Sequence, residues 1–156
     1  MQFKYSESYY IRILLNKVKL KEIMTSHVIS VRVDDHFSLV AEKIEGKGID
    51  HLPVVDRNNK LVGLMTKHDL YKVQPPHKLE DGTWYYDKEV LDGIILKNAM
   101  VPNPLVLLPD NTVGEAVLAM VRNKYGCIPV VDKDGLLCGI VTQMDVLKMA
   151  VAIMAE

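Results

Sequence analysis

The sequence predicts an α+β fold built from two similar units, each with the order strand, helix, strand, strand, helix. The first observation behind this prediction is that the sequence matches itself when shifted by 76 residues, without a gap. The second is that each matching stretch contains short β-rich runs beside runs with the 3–4 residue hydrophobic spacing of an amphipathic helix. A further helical pattern precedes the first unit, which predicts an extra N-terminal helix.

The matches fall at corresponding points of the two units. In one register, Gly63, Thr66 and Asp69 correspond to Gly139, Thr142 and Asp145. Further matches are Leu20-Lys21 with Leu96-Lys97, Met24 with Met100, Asp34 with Asp110, Pro53-Val54-Val55-Asp56 with Pro129-Val130-Val131-Asp132, and Lys72 with Lys148. A register that carries so many identities indicates a duplicated unit, and we refer to the two copies as repeat one and repeat two.

The pattern assigns the chain to four segments and orders the elements inside each repeat. The segments are an N-terminal helical extension (1–17), repeat one (18–74), a linker (75–93) and repeat two (94–156). In repeat one we predict strands over 28–33, 51–56 and 60–66 and helices over 36–47 and from 67 onward. In repeat two we predict strands over 104–109, 127–132 and 136–142 and helices over 111–126 and 143–155.

Composition and charge exclude several classes of protein. The 156 residues are 49% hydrophobic and 25% charged, which suits one medium or two small globular domains. A formal net charge of −1 lacks the basic excess of a general nucleic-acid binder, so no nucleic-acid partner is expected. No apolar run approaches the roughly 18 residues that span a bilayer, and the N-terminus lacks the features of a signal peptide. The sequence therefore predicts a cytoplasmic protein without a membrane partner.

Neither cysteine nor histidine spacing indicates a metal site. Cys127 and Cys138 lie inside apolar runs, which predicts buried thiols in a reducing compartment. All five histidines fall in the first half of the chain without the spacing of metal ligands. The sequence also has no nucleophile motif and no phosphate-binding loop, so we predict neither a bound metal nor an enzyme.

Two segments outside the repeats leave alternatives open. The linker holds the only tryptophan, Trp84, beside Tyr85 and Tyr86. We expect a loop whose aromatic residues pack onto the domain, with a flap over a cleft or a contact with a partner as alternatives. The hydrophobic residues between Tyr10 and Val18 predict a helix that packs on repeat one, with a dimer contact as the alternative.

At this point the motifs resemble those of a known family. The runs "IMTSHVISVRVDD", "HLPVVD" and "LVGLMTKHDL" in repeat one, with "AMVPNPLVLLPDN", "CIPVVD" and "LCGIVTQMDV" in repeat two, are similar to a tandem pair of cystathionine-β-synthase (CBS) domains. Such a pair is called a Bateman module. The resemblance covers roughly residues 18–74 and 94–155, and we expect no attached enzyme or channel domain within these 156 residues.

The resemblance implies a fold and a function. Two CBS repeats are expected to pack about a pseudo-twofold axis and to leave clefts between them. Such clefts bind adenosine compounds, so the implied regulatory ligand is AMP, ADP, ATP or S-adenosylmethionine. The implied partners are a second copy of the chain in a homodimer and a regulated protein that the sequence does not identify.

The Thr-x-x-Asp motifs have a structural and a functional interpretation. Thr66 and Thr142 stand where a strand gives way to a helix, and an acid three residues later completes a capping box. The same helix start can bind an anion, and a carboxylate can accept hydrogen bonds from ribose hydroxyls. By resemblance, Asp69 and Asp145 would hold the ribose, with Thr66 and Thr142 on the phosphate side.

The resemblance also implies that each site is shared between the repeats. One site would combine His27, Ile29, Asp50, His51 and Pro53 with Thr142 and Asp145. The other would combine Leu105, Gly126, Cys127 and Pro129 with Thr66 and Asp69. Lys67 and His68 lie inside the first motif, so we expect the Asp69 site to take the more charged nucleotide. Asp50 and His51 depart from the small residues that the family often has at these positions. For the apolar residues of both sites, ordinary core packing is the alternative to ligand binding.

A second function remains open at the C-terminal end. The last helix is apolar on nearly every side from Val146 to Ala155, which indicates burial somewhere. It can be buried in the core of the monomer or against another protein. The alternative function is therefore a protein-interaction or dimerisation scaffold that binds no small molecule.

Overall fold

The chain forms two packing units that do not coincide with the two repeats. The structure, a computed structural model, describes residues 5–155. The central unit is Ile29–Pro104, and the terminal unit combines the residues up to Val28 with those from Leu105 onward. The start of each repeat therefore belongs to the packing unit that contains the main body of the other repeat.

The main body of each repeat follows the predicted order, with further elements in the linker and at the start of each repeat. The strand predicted over 104–109 is wrong, because that stretch forms an isolated bridge at Leu107 and the strand precedes it, at Val101–Pro102. The helices are α1 (Tyr5–Lys17), α2 (Leu20–Ile23), α3 (Phe37–Lys47), α4 (Lys67–Val73), α5 (Lys88–Asp92), α6 (Leu96–Ala99), α7 (Val113–Asn123) and α8 (Gln143–Met154). The strands are β1 (Val31–Arg32), β2 (His51–Val55), β3 (Leu61–Thr66), β4 (His77–Lys78), β5 (Trp84–Tyr85), β6 (Val101–Pro102), β7 (Cys127–Val131) and β8 (Leu137–Thr142).

The central unit is built on a four-stranded sheet in the order β1-β2-β3-β6. Strand β1 runs parallel to β2, and the other neighbours are antiparallel. Helix α3 buries Phe37, Val40 and Ile44 in the core below this sheet. It ends at Gly48, whose φ of 62° belongs to the left-handed region that glycine adopts without a steric cost.

The terminal unit is built on the β7–β8 hairpin. Helices α7 and α8 pack on this hairpin, and their core includes Ile128, Val130 and Val141. Thr25 pairs with Ile140 of β8, and Leu107 pairs in parallel with Val130 of β7. Each repeat therefore supplies a hairpin whose free edges are extended by other parts of the chain.

Helix α1 packs on repeat two, so the prediction that it packs on repeat one is wrong. Its contacts are with α7, and Leu15 and Val18 join the core of the terminal unit. The approach is close because Gly114 has no side chain: a Cβ there would lie 3.1 Å from the carbonyl oxygen of Leu15. The backbone bond from Val113 N–H to the Val18 carbonyl, 2.9 Å, ties the end of this segment to the start of α7.

Two methionines join the repeats in the same way in both units. Met24, at the entrance of repeat one, packs against Gly139 of β8, and Met100, at the entrance of repeat two, packs against Gly63 of β3. In each case a Cβ on the glycine would overlap the methionine thioether. The recurring methionine and the recurring glycine are thus the two halves of one contact.

The linker differs from the loop that the sequence predicts. It contains a small hairpin in which His77 pairs with Tyr85 and Lys78 with Trp84. Tyr86 packs against the core of the central unit, whereas Trp84 and Tyr85 are exposed. The expectation that the aromatic residues pack down is therefore met by one of the three, because the hairpin holds the other two away from the core.

We expect Gly139→Val to lower the free energy of unfolding by about 1–3 kcal/mol, because the new side chain occupies the place of the Met24 thioether. Valine favours strands more than glycine does, so propensity alone would raise stability. Thermal unfolding measures the effect, at roughly 2–4 °C per kcal/mol for a chain of this size.

A double-mutant cycle isolates the contact. The Met24→Ala/Gly139→Val variant should lose less stability than the sum of the two single variants, because both remove the same contact. Simple additivity would contradict the packing described here.

Candidate functional site

Thr66 and Asp69 form a complete capping box at the start of α4. Asp69 N–H donates to Thr66 Oγ1 at 3.1 Å. In return Thr66 N–H and the Thr66 hydroxyl both donate to Asp69 Oδ2, at 3.1 and 2.7 Å. The capping interpretation of the first motif is therefore realised in the structure.

Thr142 and Asp145 repeat this geometry at the start of α8. Asp145 N–H donates to Thr142 Oγ1 at 3.3 Å, and Thr142 N–H and Oγ1–H donate to Asp145 Oδ2 at 2.8 Å each. Two helices of different length thus begin with the same set of four polar groups, as the register of the repeats requires.

Each cap uses one oxygen of the aspartate carboxylate, Oδ2, and the second oxygen, Oδ1, takes no part in the cap. Asp145 Oδ1 accepts no hydrogen bond from the residues that the structure describes, and Asp69 Oδ1 faces the Lys72 ammonium at 3.8 Å. A carboxylate oxygen has two lone pairs, so the second oxygen can accept from a ligand hydroxyl while the cap stays intact. The threonine hydroxyl, by contrast, already donates its single proton to the aspartate.

The beginning of each hairpin lies beside its Thr-x-x-Asp motif. His51 is the strand partner of Thr66, and Cys127 is the strand partner of Thr142. The backbone continues the contact, since Lys67 N–H donates to the Asp50 carbonyl at 3.0 Å and Gln143 N–H to the Gly126 carbonyl at 3.1 Å. Each motif is therefore placed next to the predicted base-binding residues of its own repeat.

Burial keeps the two corresponding side chains, His51 and Cys127, uncharged. Desolvation lowers the pKa of His51, against the opposing charge of Asp50. Desolvation raises the pKa of Cys127 to about 12. Near neutral pH both hairpins therefore begin with a neutral side chain, and neither of these side chains places a charge beside its Thr-x-x-Asp motif.

The remaining predicted slot residues divide into buried and exposed positions. Pro53, Pro129 and Cys127 are buried within their hairpins, so core packing accounts for them. Ile29 and Leu105 are exposed, and core packing does not account for them. An aliphatic side chain left in solvent beside the first strand is available to cover one face of a flat ligand.

Lys67 and His68 differ in their surroundings. The Lys67 ammonium lies 3.4 Å from Glu45 Oε2 and 5.6 Å from the centre of the Tyr71 ring, so a carboxylate already balances its charge. His68 is exposed. The sequence did not identify Glu45 as the partner of Lys67, because the two residues meet only through the packing of α3 beside α4.

His27 lies in the terminal unit together with Thr142 and Asp145. This follows because the start of repeat one belongs to the packing unit that contains the main body of repeat two. The sharing of the other predicted residues between the two repeats stays a prediction.

Among residues 5–155, no group of three histidine, cysteine or acidic side chains has the arrangement of a metal site. None of the helices in that part of the chain has the length and hydrophobicity to cross a membrane.

Comparison with known proteins identifies the family. The family model of the CBS domain matches residues 20–75 and 96–152. A CBS domain-containing protein of Dictyostelium discoideum is 28% identical over 139 residues, which cover 88% of this chain and 94% of that protein. The chloroplastic CBS domain-containing protein CBSX2 of Arabidopsis thaliana is 30% identical over 148 residues, covering 83% of this chain and 60% of that protein. The match thus spans less than two thirds of the length of CBSX2.

A solved structure extends this similarity to the fold. The crystal structure of CBSX2 in complex with AMP superimposes with a TM-score of 0.72 at 26% sequence identity. The match covers 87% of this chain and 98% of that one. The α+β fold with two such repeats, predicted from the sequence, is confirmed.

We expect acid to destabilise the protein partly through His51. The folded state holds the pKa of His51 below its ordinary value of 6.5, so the unfolded chain binds the proton more readily. The stability contributed by the neutral imidazole is present above about pH 6.5 and is lost as the pH falls through the folded-state pKa. The drop in melting temperature between about pH 7.5 and pH 5.5 should be smaller in His51→Gln than in the parent protein. His27→Gln, at an exposed position, serves as the control and should leave the drop unchanged.

Proposed function

This chain belongs to the CBS domain family, and on that premise we propose that it is a regulatory module that binds an adenosine nucleotide at its Thr-x-x-Asp motifs and signals to a partner protein. The observation that carries the proposal is the second oxygen of each capping carboxylate. The cap stabilises the helix start without this oxygen. The motif that carries the oxygen lies beside a hairpin that begins with a neutral side chain.

The ligand class follows from the chemistry of these groups. A carboxylate oxygen is a pure acceptor and suits the hydroxyls of a ribose, as acidic residues do in dinucleotide-binding folds. The neutral hairpin start and the exposed Ile29 and Leu105 suit a flat base. The complex of the related CBSX2 with AMP supports a nucleotide of this kind.

The two motifs differ in nearby charge. Lys67 and His68 lie inside the Asp69 motif, whereas Gln143 and Met144 occupy the matching positions of the Asp145 motif. We therefore propose that the Asp69 motif takes the more highly charged nucleotide. A phosphate there would compete with Glu45 for the Lys67 ammonium, which lies 3.4 Å from that carboxylate. Signalling would then follow from the difference in affinity of the nucleotide for two arrangements of the protein.

We expect one of AMP, ADP, ATP and S-adenosylmethionine to raise the melting temperature. A ligand at about 100 times its dissociation constant adds roughly 2.7 kcal/mol to the stability of the folded state. At roughly 2–4 °C per kcal/mol, that is a shift of several degrees, and the Asp69→Asn/Asp145→Asn variant should lose it.

The chain supplies its own control for this experiment. Thr112 and Glu115 form a third capping box, at the start of α7, outside the proposed sites. Glu115→Gln should lower the melting temperature of the free protein and keep the shift with nucleotide. If no compound shifts the melting temperature of the parent protein, the Thr-x-x-Asp motifs serve as caps alone and nucleotide binding is excluded.

A second function, self-association, is favoured by an apolar surface on the terminal unit. Helix α8 has no buried residue, and Val121 and Leu147 are 72% and 58% exposed. These side chains, with Val117, Met120 and Val146, line a groove of about 310 Å³ between α7 and α8. Leu118, Met144, Val151 and Met154 extend the exposed apolar area. We name this surface the α7–α8 face and propose that it is covered by a second copy of the chain.

The same positions in repeat one are polar. Val121 corresponds to Glu45, Leu118 to Glu42 and Leu147 to Tyr71. Burying two carboxylates against an apolar surface is costly, although Lys67 balances the charge of Glu45, so the α3–α4 surface is a poor match for the α7–α8 face. We therefore propose a dimer in which the α7–α8 faces of two copies meet each other.

The Val121→Glu variant tests this arrangement, because it places in repeat two the residue that repeat one has at that position. We expect the parent protein to sediment as a dimer and the variant as a monomer, since two like charges would meet across a symmetric interface. The control is Val90→Glu, at an exposed position of α5. A dimer that survives Val121→Glu, or one that Val90→Glu also dissociates, would rule out this face.

A further inference from the structure

The central unit has a groove between the outer side of α3 and the aromatic end of the linker hairpin. Its volume is about 620 Å³, within the range of known ligand pockets. Helix α3 supplies one wall, the segment Trp84–Tyr86 supplies the other, and α5 closes one end. We name it the linker groove. It contains neither of the Thr-x-x-Asp motifs.

One wall of the linker groove presents aromatic rings to solvent. Trp84 is 61% exposed and Tyr85 is 45% exposed, although both are large apolar side chains. The Lys78 ammonium lies 5.4 Å from the centre of the Trp84 ring, within the range of a cation–π contact. The position of Lys78 indicates that the exposed indole attracts a cation.

The opposite wall is acidic, and its carboxylates differ in how they are used. Glu45 Oε1 accepts from the hydroxyls of Tyr71 and Tyr86 at 3.1 Å each, and Lys67 balances its charge. Asp35 accepts from the Arg32 N–H at 2.8 Å. Glu42 has neither an ion pair nor a side-chain hydrogen bond in the part of the chain that the structure describes. The groove thus has one fully engaged carboxylate and two that can accept from a ligand.

The groove also contains basic groups, and they do not cancel this charge. Lys88 and His36 belong to the lining. Both lie near Asp92, whose pKa is lowered first by its hydrogen bonding with Ser38 and then by the charges of these two residues. The lining has three carboxylates, those of Asp35, Glu42 and Glu45, and one lysine, Lys88, so acidic side chains outnumber the lysine.

These carboxylates are not a requirement of the repeated architecture. Glu42 and Glu45 correspond to Leu118 and Val121 in repeat two, where the same helix face is aliphatic. The aromatic wall comes from the linker, which has no counterpart in the repeats. The acidic wall and the aromatic wall thus come together in the central unit, where the linker hairpin lies beside α3.

We propose that the linker groove binds an arginine-bearing segment of a partner protein, with a guanidinium stacked on Trp84 and paired with Glu42. A guanidinium suits both walls, because it is planar, stacks on aromatic rings and donates two parallel hydrogen bonds to a carboxylate. The groove is open and larger than one side chain, so an extended segment fills it better than a free amine. The inference does not depend on nucleotide binding.

The test uses the full chain and two dye-labelled peptides, Gly-Arg-Gly-Arg-Gly and the same peptide with citrulline in place of both arginines. Citrulline keeps the shape of arginine and removes its charge. Fluorescence anisotropy should show saturable binding of the arginine peptide, at least about tenfold tighter than the citrulline peptide. Unlabelled arginine peptide should also change the emission of Trp84, the only tryptophan.

Substitutions then distinguish binding in the linker groove from a nonspecific attraction between the peptide and negative charge. Glu42→Gln and Trp84→Ala should each weaken arginine-peptide binding by about fivefold or more. Glu80→Gln removes the same charge from the turn of the hairpin, outside the lining, and should leave binding unchanged. Equal binding of the citrulline peptide, an equal effect of Glu80→Gln, or binding of free arginine amide as tight as that of the peptide would each overturn the proposal.

Discussion

The packing of a methionine against a strand glycine is the contact on which the rest of the structure depends. Met24 lies on Gly139 and Met100 on Gly63, so each packing unit is completed by the entrance of the other repeat. Because Thr25 also pairs with Ile140 beside Gly139, the exchanged segment continues the sheet as well as the core. A single repeat, as its sequence boundaries define it, lacks the residues that close its own hairpin. The two repeats therefore fold as partners.

In the Thr-x-x-Asp motif, the atoms that stabilise the helix start leave one carboxylate oxygen for the proposed ligand. The cap occupies the backbone amides, the threonine hydroxyl and one carboxylate oxygen. What remains is a single oxygen held rigidly by the bonds of its neighbour, and such preorganisation reduces the entropy lost when a ligand binds. The two interpretations of the motif are therefore compatible, and the helix start that the cap stabilises is also what orients the acceptor.

The sequence predicted the repeated elements well and the contacts between distant segments poorly. Periodicity located α3 and α7, and turn residues between β-rich runs located the hairpin of each repeat, because these signals are local. The length of the first strand in each repeat was overestimated. Strand β1 has two residues, and the stretch 104–109 forms one isolated bridge at Leu107. The position of α1 depends on Gly114, nearly a hundred residues away, and the pairing of Lys67 with Glu45 depends on two helices that pack side by side. Such contacts leave no periodic signal.

The helix pairs α3–α4 and α7–α8 differ in their exposed side chains, and this difference limits how many copies of the chain could associate. A chain with an apolar face on both units could join one copy through each, and contacts between unlike faces produce open chains that grow without limit. Here Glu42 and Glu45 occupy the positions of Leu118 and Val121, so one face is apolar and its counterpart is charged. A contact between two like faces closes on itself after two copies. If the proposed dimer forms, the carboxylates of repeat one would prevent polymerisation, which a duplicated apolar surface would otherwise allow.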